Sequence, residues 1–390
     1  MKNNKWILLP LMATLAFSGC SKTSEAEATE DVIPEVTAEA IMENTELTLE
    51  EQVSALMDTM TIEEKIGQLL MCDFRTNADG TPMTELSETA AEAIANYNLG
   101  GVVLFAENLD TAEQTKTLIS DIKALSDIPM FIGVDEEGGL VSRLNKSEIP
   151  HEVIPDAATL GTVEEVSRVG TVIGETLFDL GFNVDFAPVA DVNTNPENTV
   201  IGTRAYSSDP FFAADMVGAF VEAIQETGVY GCVKHFPGHG DTAGDSHDGS
   251  VYVDHDLERL ELVEFLPFKE GIAAGVKFVM VGHIQTPNAT SDHLPATLSK
   301  ESVDLLRNNL GYDGIVITDA MNMQAIVQYY GAGEACVMSI LAGVDIVLMP
   351  EDYHEAYAAL LEAYDTGRLT EERVDESLVR ILSEKMTIDL

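Results

Sequence analysis

GVYGCVKHFPGHGDTAGDSH (Gly228–His247) sets a short apolar run against an abruptly polar one. Val229–Val233 has the length and character of a strand buried on both faces, as the strands of a parallel sheet are. The residues after it, Lys234, His235, His239, Asp241, Asp245 and His247, are interleaved with Pro237 and with glycines that deny a regular helix. They read as a loop that gathers its polar groups at the end of a buried strand, and loops on a rigid scaffold are where chemistry is usually placed.

Working outward, the same alternation recurs along the chain. Strand-like runs stand at Ile66–Cys72, Gly101–Phe105, Met130–Val134, Val184–Val189, Val229–Val233, Phe278–Val281, Ile315–Ile317 and Val344–Met349. Between them lie amphipathic helical segments at Ala112–Leu125, Val163–Leu180, Phe211–Thr227, Leu257–Ala274, Lys300–Asn309 and Glu334–Ala342. Two capping boxes, Thr48-Leu-Glu-Glu51 and Thr61-Ile-Glu-Glu64, open the globular part. Eight apolar strands alternating with helices predict an α/β fold, a (β/α)8 barrel forming a single domain over residues 48–390. A doubly wound open sheet is the alternative.

A barrel places its functional side chains at the C-terminal ends of its strands, on one rim. Asp135, Asp191, Lys234 with His235, His283 and Asp319 each follow one of the runs above, so five strands end in titratable groups. That one-sided loading points to an enzyme.

Lys2 and Lys5 precede the apolar stretch Trp6–Phe17, which is too short to span a bilayer and fits a signal-peptide core. Ser18-Gly19-Cys20 after it resembles a bacterial lipoprotein cleavage box. Residues 1–20 are accordingly read as a lipoprotein-type signal peptide with Cys20 as the lipidated residue, ordinary signal cleavage being the fallback. Residues 21–47 are acidic, poor in aromatics and without a sustained apolar period, and read as a flexible tether. The expected location is the outer face of the bacterial cytoplasmic membrane, with the lipid as the sole membrane contact. The chain carries 21 basic against 67 acidic residues and a net charge of −46, which argues against a nucleic-acid or anionic-lipid surface. Cys72, Cys232 and Cys336 are far apart with no CxxC pair, and read as buried free thiols.

Lys234–His247 resembles the signature loop of the family 3 glycoside hydrolases, in the bacterial β-N-acetylglucosaminidase branch. Further segments resemble the family in family order: Glu64–Leu69, Gly133–Gly139 with Arg143, Phe186–Asp191 running to Gly202–Arg204, Met280–His283, Leu294–Ser299 and Thr318–Met321. The likeness covers roughly residues 48–385. It implies a retaining, exo-acting enzyme in which Asp319 is the nucleophile and the pair Asp245 and His247 is the acid/base, His247 exchanging the proton and Asp245 orienting its ring. It further implies that Asp135, Arg143, Arg204, Lys234 and His235 bind the sugar, that the substrate is a GlcNAc-terminated glycan from cell-wall (muropeptide) fragments, and that no cofactor is needed. One position departs from the family: Leu140 stands where Arg is frequent.

Several alternatives stay open on the sequence alone. Asp319 could instead cap the following helix. Arg204 and Lys234 could form an internal ion pair that braces the rim. His235 and His239 have the spacing of helical metal ligands, but Pro237 and Gly238 interrupt the helix and no metal is expected. A neutral histidine base is also compatible with phosphate as acceptor, making a phosphorylase; a β-glucosidase or xylosidase of the same family and a sugar-binding lipoprotein are further readings. His151, His255, His293 and His354 read as surface residues, and His283 as a residue that shapes the pocket.

Overall fold

The structure, a computed structural model, describes residues 37–242, 244, 249 and 251–388. Both capping boxes form: Thr48 and Thr61 each accept from the backbone N–H three residues on, while Glu51 and Glu64 reach back to the capping residue. The second box holds the helix Ile62–Gly67, so the apolar run that begins at Ile66 is helical before it becomes a strand.

Eight strands form one sheet: β1 (Leu70–Asp73), β2 (Gly101–Val103), β3 (Phe131–Val134), β4 (Val184–Asp185), β5 (Tyr230–Phe236), β6 (Phe278–Val281), β7 (Ile315–Thr318) and β8 (Val347–Leu348). All neighbours pair in parallel, in the order β8-β1-β2-β3-β4-β5-β6-β7. A bridge between Ile317 and Ile346 closes the ring, with Ile346 N–H donating to Val316 at 3.1 Å and Thr318 N–H donating back to Ile346 at 3.0 Å. This is the (β/α)8 barrel that the alternation predicts. The open-sheet alternative fails because the last strand returns to the first.

Several boundaries differ from the sequence reading. β5 runs on to Phe236, so Lys234 and His235 are strand residues rather than loop residues. The helix expected over Leu257–Ala274 is two, Leu257–Leu262 and Phe265–Ala273. Pro267 has no N–H for the Val263 carbonyl, which makes a first-turn position the place it fits. The stretch expected to be a tether to residue 47 is folded from Thr37 on: Thr37 caps the helix Ala38–Met42, Ile41 is buried in the core, and Gln52 Nε2 donates to the Met42 carbonyl at 2.9 Å. Cys20 and the remainder of the tether lie outside the described residues. Cys72, Cys232 and Cys336 are buried free thiols, as expected.

The barrel's N-terminal end is plugged from the last helix, Glu371–Lys385. Phe131, Tyr230 and Phe278 are the first residues of their strands, and Phe131 and Phe278 meet edge to face at 5.1 Å. Lys385 Nζ stands 5.1 Å from the Phe131 ring centre and donates to Gln68 Oε1 at 2.7 Å. Asp345 ties the same helix to the closure of the ring. Its carboxylate accepts from Ser377, Arg380 and Arg307 at 2.7, 3.1 and 2.6 Å, and from the Val316 N–H at 2.9 Å.

Burial pushes the Lys385 ammonium down to about 7. The unfolded chain keeps that proton to about pH 10.4, so between these values unfolding takes up a proton and the lysine's contribution to stability rises with pH. Thermal unfolding of the parent and of Lys385→Met is expected to show the gap moving in the parent's favour from pH 7 to pH 10. A gap independent of pH would refute a neutral Lys385.

Candidate active site at the C-terminal mouth of the barrel

The strand ends place their polar side chains around one cavity of about 1200 Å³. Asp135 and Glu137 leave β3 two residues apart, which directs both toward the mouth. Between them lies Lys234 of β5, whose Nζ is 2.8 Å from Asp135 Oδ1 and 2.7 Å from Glu137 Oε1. Each carboxylate takes a guanidinium on its far side. Arg143 Nη2 donates to Asp135 Oδ2 at 2.9 Å, and Arg204 grips Glu137 with Nε and Nη2, both at 2.8 Å. The result is a row of alternating charges, Arg143–Asp135–Lys234–Glu137–Arg204, in which the Lys234 side chain is 2% exposed.

A buried charge persists only when it is paired. Burial would raise both carboxyls, but Lys234 and Arg143 hold Asp135 far below the usual carboxylate range, and Lys234 and Arg204 hold Glu137 at about 2. Burial in turn would lower Lys234 and Arg204, and the same carboxylates hold both above their ordinary values. Asp135, Glu137, Lys234 and Arg204 are therefore ionised at neutral pH, and all of them line the cavity.

His235 is oriented by Asp191, a fully buried residue beyond β4. Asp191 Oδ2 accepts from His235 Nδ1 at 2.8 Å, and its Oδ1 accepts the His235 and His239 N–H groups at 3.2 and 2.6 Å. A carboxylate can only accept, so the proton sits on Nδ1. His239 lines the cavity as well. Thr242 Oγ1 lies 2.6 Å from its Nδ1, and burial pushes the ring below the ordinary histidine value despite Asp191 nearby.

Asp319 follows β7. Its N–H donates to the Val281 carbonyl at 2.8 Å and its Oδ1 accepts the Ala320 N–H at 2.7 Å. Burial works against ionisation, but His283, His235, the Ala320 N–H and Lys234 outweigh it and hold the carboxyl below its ordinary value. It is not the cap of the next helix, Gln324–Val327, whose N-cap is Met323. His283 shapes this corner as expected, with Nε2 on the Ala320 carbonyl and Nδ1 on Thr297 Oγ1, both at 2.9 Å.

Asp135, Arg143, Arg204, Lys234, His235 and Asp319 thus line one cavity. The ion-pair role considered for Arg204 and Lys234 is realised alongside the lining role, not instead of it. Asp245 and His247 lie outside the described residues. The first half of their loop is clamped from the segment after β4: Asn198 Nδ2 donates to the His239 carbonyl at 2.7 Å, Asn195 Nδ2 to the Thr242 carbonyl at 3.0 Å, and Thr194 Oγ1 to Asp241 Oδ1 at 2.8 Å. His255, read as a surface residue, meets Asp241 Oδ2 at 2.6 Å and belongs to this brace. Gly240 fits because a Cβ there would stand 1.9 Å from the Val192 carbonyl oxygen. Among the described residues no group of three His, Cys, Asp or Glu is placed to hold a metal ion.

Three contributors escaped the sequence reading. Glu137 is in the quoted Gly133–Gly139 segment, and the two-residue period from Asp135 is the signal that marks it. Arg75 and Phe105 follow β1 and β2; the Arg75 guanidinium stacks 3.5 Å from the Phe105 ring centre, and that of Arg143 stands 5.0 Å from it. The strand-end rule, applied to β1, would have found Arg75.

The profile of the Glycosyl hydrolase family 3 N terminal domain matches residues 61–384. Beta-hexosaminidase A of Pseudoalteromonas piscicida is 35% identical over 361 residues, which cover 83% of this chain and 60% of that protein. Beta-hexosaminidase LpqI of Mycobacterium tuberculosis is 34% identical over 333 residues, covering 83% of this chain and 82% of that one. Among solved structures, a glycoside hydrolase family 3 β-N-acetylglucosaminidase from Paenibacillus sp. superposes with a TM-score of 0.80 at 38% identity, over 85% of this chain and 64% of that one. The chain thus spans less than two thirds of the Pseudoalteromonas and Paenibacillus proteins and most of LpqI.

Removing one partner of a buried ion pair costs about 3–5 kcal/mol, and Glu137→Gln is expected to lose an amount in that range in denaturant unfolding at pH 7. The folded pKa lies below the unfolded one, so the contribution of Glu137 is present above about pH 4.5 and lost toward pH 2. The gap between parent and variant should close over that interval. A gap unchanged by acid would contradict the ionised row.

Proposed function

The chain belongs to glycosyl hydrolase family 3, and from that premise we propose that it is a retaining, exo-acting β-N-acetylglucosaminidase acting on GlcNAc-terminated cell-wall fragments. The observation that carries the reading is the convergence of Asp319, held ionised, with Asp135, Arg143, Arg204, Lys234 and His235 in one cavity. Those are the residues that the likeness to the β-N-acetylglucosaminidase branch assigns to sugar binding and nucleophilic attack. The relatives named as hexosaminidases support the same substrate class.

In this reading Asp135 accepts hydrogen bonds from sugar hydroxyls, Lys234 and Arg143 supply the converging donors, and His235, its Nδ1 held by Asp191, presents Nε2 to the sugar. Asp319 attacks the anomeric carbon as the bond to the leaving oxygen breaks, forming a glycosyl–aspartate ester. His247 gives that oxygen its proton and later takes one from the water that cleaves the ester; Asp245 stabilises the charged ring. The donors around Asp135 are already oriented by the ion-pair row, so binding has little reorganisation to offset. A lipid on Cys20 holds the enzyme at the outer face of the cytoplasmic membrane, and Cys20→Ser is expected to shift the protein from the membrane fraction to the soluble one. Retention of the variant in the membrane would remove the anchor.

Aryl β-GlcNAc substrates with good and poor leaving groups test the chemistry. Asp319→Asn is expected to abolish turnover of both. His247→Ala should slow the poor-leaving substrates by about 10²–10⁴ and the good-leaving ones much less in the first step. Equal losses on both would remove the acid role, and a product profile in which phosphate replaces water would turn the enzyme into a phosphorylase.

A further inference from the structure

We propose that Glu136 is the positioning residue for Arg143, tying the turn that carries this arginine to the end of β3. The inference rests on the sugar-binding reading of Arg143 given above. Glu136 sits between the two carboxylates that face the cavity and turns away from it, into the protein, where it is 2% exposed. Its Oε2 accepts two backbone N–H groups from the far side of the turn, those of Arg143 at 2.8 Å and Leu144 at 3.1 Å. Its own N–H donates to Asp185 Oδ1 at 2.9 Å, and Asp185 is fully buried on β4.

Arg143 begins the short 3-10 turn Leu144–Lys146 and has no side-chain cap of its own there. The open N–H groups of such a turn need acceptors, and Glu136 supplies one from seven residues upstream. The guanidinium itself is held less firmly. Nη2 meets Asp135 and one face lies toward Phe105, while Nε is buried and unpaired among the described residues. A long side chain with one hydrogen bond at its tip reaches a fixed point only if its root is fixed, and the Glu136 carboxyl fixes the root. Asp135, on the same strand end, then meets Arg143 and Lys234 at once.

The test is a variant series assayed on a neutral aryl β-GlcNAc. Glu136→Met keeps the bulk and removes the acceptor; Glu136→Gln keeps an acceptor oxygen; Glu136→Asp keeps the charge but is one methylene too short to reach both N–H groups. A displacement of about an ångström can cost up to about 10²-fold, so Glu136→Met and Glu136→Asp should raise KM roughly tenfold or more with kcat little changed, and Glu136→Gln should stay within about twofold of the parent. In an Arg143→Ala background Glu136→Met should add nothing further to KM. A merely structural clasp would lower the melting temperature and leave KM alone. If Arg143→Ala raises KM while both Glu136→Met and Glu136→Asp bind like the parent, or if their effect adds fully to that of Arg143→Ala, the assignment of Glu136 falls and the reading of Arg143 stands. If Arg143→Ala leaves KM unchanged, both fall. Should Glu136→Met not fold, the Asp and Gln variants decide by the same criteria.

Discussion

An ammonium group almost sealed from water, held between two carboxylates, is the constraint on which the mouth of this barrel depends. Lys234 cannot be charged there without Asp135 and Glu137, and neither carboxylate could stay ionised without Lys234 and its own guanidinium. The row joins β3, β5 and the loops after β3 and β4. Five of the chain's 21 basic residues line this cavity, Arg75, Arg143, Lys146, Arg204 and Lys234, in a protein whose net charge is −46. Three of them, Arg143, Arg204 and Lys234, keep Asp135 and Glu137 ionised and in place.

The same economy explains the supporting shell. Asp191 uses both oxygens to fix the ring of His235 and the backbone entering the Lys234–His247 loop. The asparagine-rich segment after β4 clamps that loop as far as Thr242. His283 holds the corner on which Asp319 stands. Each is a polar group placed behind another polar group, and together they leave the residues facing the cavity with few alternative rotamers. Pre-organisation of this kind is what a site needs when charge develops at a single carbon.

The barrel was legible because its strands are buried on both faces and read as apolar runs between amphipathic helices. Their ends were less legible. Pattern reading takes a charge as a mark of exposure, so Lys234 and His235 looked like the start of a loop, whereas pairing lets them remain in β5. Ile66–Cys72 is apolar throughout and gives no local signal of where helix becomes strand. Ile41 is a lone buried anchor in a five-residue helix, too little for a period to show. Of the site, the residues at strand ends were found by position. Glu137 is marked by the two-residue period from Asp135 and Arg75 by its place after β1, but the stacking of Arg75 and Arg143 on Phe105 depends on which side chains from different loops meet, which a one-dimensional pattern does not carry.

In the proposed reaction Asp319, kept ionised beside this row, forms the bond to the sugar. Mass analysis of the protein after reaction with an activated GlcNAc derivative whose ester intermediate hydrolyses slowly addresses it directly. One N-acetylhexosaminyl unit is expected on the peptide containing Asp319, lost again as the intermediate turns over. Product released with the sugar never attached, or attached to a residue other than Asp319, would contradict it.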